Sequence, residues 1–85
     1  MTTLAIPSIH LNGTSRKSLL DGYRNALYAL REAETALQET GPNGRDYYVQ
    51  PAGAFALAQE QHVARCRALR NVITELEQVA EQIAE

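Results

Sequence analysis

Apolar residues recur along this chain with two helical rhythms. Leu20, Tyr23, Leu27, Leu30 and Leu37 follow a three–four spacing, which predicts an amphipathic helix over residues 15–40. Asn12, Gly13, Thr14 and Ser15 supply its start, with Thr14 or Ser15 as the N-cap. Gly41 suits a left-handed position just past its end, and Pro42 cannot continue it. Further on, Phe55, His62, Leu69, Leu76 and Ile83 repeat every seventh residue. A companion row runs through Ala58, Arg65 or Cys66, Val72 and Ile73, then Val79 and Ala80. A heptad repeat sustained this long predicts a second helix over residues 52–84 that packs as a left-handed supercoil. Pro51 stands where the first turn tolerates it.

Between the rhythms lies GPNGRDYYVQP, residues 41–51, with the turn dipeptide Asn43-Gly44. A connection this short joins antiparallel neighbours. Pairing outward from it sets Leu37 near Phe55 and Ala58, Leu27 opposite Leu69, and Leu20 opposite Leu76. Ahead of the first helix, residues 1–13 form an arm in which Leu4, Ile6, Ile9 and Leu11 are apolar and Pro7 intervenes. The alternation Ile9-His10-Leu11 predicts extended chain or a short strand.

The expected fold is therefore all-α: an antiparallel two-helix hairpin with an extended N-terminal arm, in a single domain. Two helices leave half of each apolar stripe wet. Leu19, Tyr28, Leu57, Val63 and Ile73 add apolar surface off the main rows. Assembly with itself into a homo-oligomeric helical bundle is the simplest way to cover it. The 85 residues contain no Trp and one Phe, so the core is aliphatic and its stability margin small.

A net charge of −2 argues against non-specific nucleic-acid binding, which needs a basic surface, and no nucleic-acid partner is expected. One cysteine, Cys66, excludes an intrachain disulfide and fits a reducing cytoplasm. The N-terminus lacks the basic and long apolar regions of a signal peptide, and no stretch has the length of a membrane span. Seven of the eight cations are Arg, the residue suited to bidentate recognition of phosphate or carboxylate.

Three constellations carry potential chemistry. In HLNGTSRK the free amides of a helix start meet Thr and Ser hydroxyls and two cations, a ready anion site built from His10, Asn12, Thr14, Ser15 and Arg16. Its plainer explanation is a helix cap, with Arg16 and Lys17 offset by Glu77, Glu81 and Glu85 from the second helix. In NGRDYY, Arg45 can hold a phosphate, and Tyr47 and Tyr48 can stack on a flat ring, with Asp46 between them. Its plainer explanation is a structured turn. The third is a polar layer of Glu34 with His62 and Arg65, which would fix register. Two isolated histidines and one thiol support neither catalysis nor a metal centre, and no cofactor is implied.

IHLNGTSRKSLL, PNGRDYY and the EQH…R…L…V..EL…A..IA pattern of the last helix resemble a family of small uncharacterised proteins encoded by tailed bacteriophages and prophages. The resemblance covers most of the chain after Ser8, with NGTS and NGRDYY as its specific parts. It implies a phage accessory protein in the host-cell cytoplasm. Together with the residue chemistry, it raises the expectation of a non-enzymatic homo-oligomer that binds a small phosphorylated or nucleotide ligand, such as a host immune signal. The two polar segments would then meet across two chains packed head to tail. The rival expectations are an adaptor or inhibitor acting on a host protein, and a component of the virion or its assembly.

Overall fold

The computed structural model describes residues 3–85 and is all-helical, with no strand among them. Met1 and Thr2, where the predicted arm begins, lie outside the described residues. Helix α1 spans Arg16–Gln38 and helix α2 spans Ala54–Ala84, and the two form a hairpin. Ser15 is the N-cap of α1, its hydroxyl accepting from the Ser18 amide at 3.1 Å. The helix stops two residues earlier than its apolar pattern predicts. There the Thr40 amide and hydroxyl both donate to the Leu37 carbonyl, at 3.0 and 2.7 Å. These bonds satisfy orphan helix-end groups, and Gly41 is not left-handed as expected. The left-handed glycine is Gly53, at φ 93°, which caps α2 through its backbone alone.

The helices meet in a register different from the expected one. Leu20 packs with Val79 and Ile83 rather than with Leu76. Arg31 pairs with Glu77 at 2.9 Å, and the Glu34 carboxylate accepts from Nε and one terminal nitrogen of Arg70. Relative to pairing outward from the turn, α2 has slid by one to two turns. Its first three turns therefore overhang the end of α1, and the connection folds back along them. A short 3-10 turn, Gly44–Tyr47, sits in that space. Tyr47 and Phe55 stack at a tilt, their ring centres 5.9 Å apart.

The arm is extended, but only its first part docks. Leu4 and Ile6 lie half-buried on the Leu20, Val79 and Ile83 cluster. Ile9 and Leu11 are exposed, so the predicted strand does not form. Among the described residues five side chains are buried: Leu20, Leu27, Ile73, Val79 and Ile83. Of the heptad row only Ile83 is fully covered; Leu69 and Leu76 are half-buried. The molecule measures 62 × 26 × 17 Å with a radius of gyration of 18.5 Å. A compact chain of this length would have a radius near 12 Å. No helix is long and apolar enough to cross a membrane.

Candidate functional site

The overhang of α2 creates a cleft between that helix and the connection. Its apolar floor is Leu37, Pro42 and Ala58; its polar wall is Thr40, Tyr47, Gln61, His62 and Arg65. The volume is about 270 Å³, just below the roughly 300 Å³ at which ligand pockets start. It suits a phosphate, a ring, or one end of a nucleotide rather than a whole large ligand.

Local sequence explains each wall. Asn43 opens the 3-10 turn by accepting from the Arg45 amide at 3.1 Å through its side chain. Its carbonyl accepts from the Asp46 amide at 3.0 Å. This side-chain turn is a habit of Asn. It carries the chain up to Tyr47, whose ring Phe55 supports. Gly44 lies against the same Phe55 ring, with its missing Cβ position 3.7 Å from the ring edge. On the helix side Gln61 and His62 each lie one turn before Arg65. The His62 ring nitrogen Nε2 lies 3.6 Å from the Cys66 thiol and close to Gly41, so the imidazole is wedged between α2 and the connection.

The cleft holds one cation and no carboxylate. Among the described residues the ion pairs are Lys17–Asp21, Arg31–Glu77 and Arg70–Glu34. Arg65 has no carboxylate partner among those residues, and the cleft wall contains no acid. A cation with hydroxyl, amide and imidazole groups beside it, and a tyrosine ring above, can hold an anion attached to a flat group.

The predicted site residues are dispersed. His10, Asn12, Thr14, Ser15 and Arg16 lie at the end of the hairpin where α1 starts and α2 finishes. The His10 ring folds over Gly13, whose amide donates to the His10 carbonyl at 3.1 Å. The Ser15 hydroxyl is taken by the cap. Arg16 donates through Nε to the Ile83 carbonyl at 2.9 Å, so it closes the end of α2 instead of standing free. Lys17 pairs with Asp21 at 2.7 Å; neither cation meets Glu77, Glu81 or Glu85 as expected. Arg45, Asp46, Tyr47 and Tyr48 lie at the other end. Only Tyr47 lines the cleft; Arg45 and Asp46 are exposed, and Tyr48 is 81% exposed. At about 1.5 Å per residue along α1, the two segments sit some 35 Å apart in one chain.

The expected polar layer divides. Glu34 leaves it for Arg70, while His62 and Arg65 turn to the cleft. Thr40 and Gln61 were not legible as site residues, although Gln61 shares a helical face with Arg65 and that spacing is a usable signal. No group of three His, Cys, Asp or Glu among the described residues is placed to hold a metal. No protein-family model matches the chain, and neither curated proteins nor solved structures give a match.

Proposed function

We propose that this protein acts by binding rather than by catalysis, as a homo-oligomer that holds a small phosphate-bearing ligand of nucleotide type. The observation that carries the reading is the cleft in which an unpaired Arg65 stands with Gln61, His62 and Thr40 under the Tyr47 ring. Arg65 supplies the charge for the phosphate, Gln61 and Thr40 supply hydrogen bonds, and Tyr47 covers the flat part. The resemblance to phage-encoded proteins supports a setting in the host-cell cytoplasm, where sequestering a nucleotide immune signal is work for a small protein without catalytic groups.

Thermal melting with a panel of nucleoside monophosphates, cyclic nucleotides and ADP-ribose tests this. A ligand at a hundred times its dissociation constant stabilises the fold by about 2.7 kcal/mol. The shift should vanish in Arg65→Ala and shrink in Tyr47→Ala. A panel that leaves the melting temperature unmoved overturns the reading.

A second reading has its own support. Tyr48 and Val49 stand side by side on the connection, 81% and 97% exposed. Such a pair fits docking on another protein, as an adaptor or inhibitor would. Capture of a host protein that is lost in Tyr48→Ala would favour it.

A further inference from the structure

The two sides of the hairpin are unlike. Along one edge the seam is closed by charge: Arg31 meets Glu77, Glu34 meets Arg70, and Arg24 and Glu81 flank them. Along the other edge a shallow apolar groove runs between the helices, lined by Leu19, Gly22, Tyr23, Ala26 and Leu76 with Ser18 at its rim. It carries no charged residue. Leu69, Val72 and Leu76 continue the apolar row along α2, with Val72 44% exposed.

We propose that this groove is covered by a second copy of the same chain, helix α1 of each crossing α1 of the other antiparallel, with Gly22 and Ala26 at the crossing. Three observations support the choice of occupant. First, the chain exposes 6517 Å², against about 5,000 Å² expected for a compact monomer of this mass. The difference is of the order of 1,500 Å² per chain, more than the ~800 Å² that each partner buries in a standard interface. Second, an isologous contact sets each residue near the axis against its own copy, so charges there repel; this face has none. Third, nothing lies within 4 Å of the position a Cβ would take on Gly22. A glycine at mid-helix on that face leaves room for a neighbouring helix backbone. The groove lies along the first half of α1, away from the cleft beside Arg65, so the dimer stands or falls independently of the ligand.

Sedimentation equilibrium on the full chain is the first measurement. The wild type should be a dimer at micromolar concentration. Ala26→Glu buries an unpaired charge at the crossing and should raise the dissociation constant by about a hundredfold or more. Ala26 is exposed in the single chain, so helix content by circular dichroism should persist. Tyr28→Glu, on the far side of α1, should leave the dimer intact. If Ala26→Glu does not fold, cysteine crosslinking decides. In a Cys66→Ser background, Ala26→Cys should give disulfide-linked dimers on mild oxidation and Tyr28→Cys should not. A monomeric wild type overturns the proposal, as does a dimer that survives Ala26→Glu or crosslinks only through position 28.

Discussion

Among the described residues Ile73 is the one side chain with no exposed surface at all, at 0%. Truncating it removes contacts that no second chain can restore. Ile73→Ala should therefore cost about 2–5 kcal/mol, the range for large-to-small changes in a core. Chemical denaturation of the wild type and variant at matched concentration measures it. Leu76 behaves differently because it is half-covered within the chain and lines the open groove. At the polar end of the scale, Lys17 donates a hydrogen bond to Asp21 and adds its charge. Together these hold the Asp21 carboxyl below the usual carboxylate range. A carboxyl whose folded pKa is depressed contributes stability above its ordinary value and loses it as pH falls through the folded one. The pair is exposed, so the contribution is small. NMR titration should show the Asp21 midpoint rising in Lys17→Ala, with little change in melting temperature.

Both helices, and a cap at Thr14 or Ser15 that the structure resolves to Ser15, were legible from periodicity and capping chemistry, because those signals are local. The register was not. It depends on whether the connection spans the gap between helix ends or lies along one helix, and that is decided by Phe55. Its ring takes Tyr47 on one side and Gly44 on another, which draws the connection back over the first turns of α2. The same displacement explains the partner exchange at Glu34, which meets Arg70 instead of His62 and Arg65. It also explains why Tyr47 alone, of the four connection residues expected to bind, reaches the cleft. Gly53 is the other element-scale determinant. Its φ of 93° is costly for a residue with a Cβ, and Gly53→Ala should lower stability by about 1–2 kcal/mol. Helix α1 offers a sharper test at Gly22, where Ala is the better helix former by about 1 kcal/mol. In a single chain Gly22→Ala should simply stabilise, since the space is open. At a helix crossing the added methyl separates the backbones, so the variant should gain helix content and lose dimer.

At the scale of the molecule, a rod of 62 Å with five buried side chains among its described residues has a small core. Under the proposed dimer, folding is linked to assembly and the melting temperature should rise with protein concentration. Leu76→Ala should weaken that dependence while Ile73→Ala shifts the whole curve. The ends of the rod also separate the two polar segments that the sequence singles out. The helix-start segment uses its cap hydroxyl and Arg16 to close the hairpin end, and the connection builds a wall of the cleft. Ligand binding at the connection is the central claim, and chemical-shift mapping of isotope-labelled protein with inorganic phosphate and AMP tests it most directly. Saturable shifts are expected at Thr40, Tyr47, Gln61, His62 and Arg65, and Arg65→Ala should abolish them. Shifts confined to Thr14, Ser15 and Arg16, or none with either probe, would contradict it.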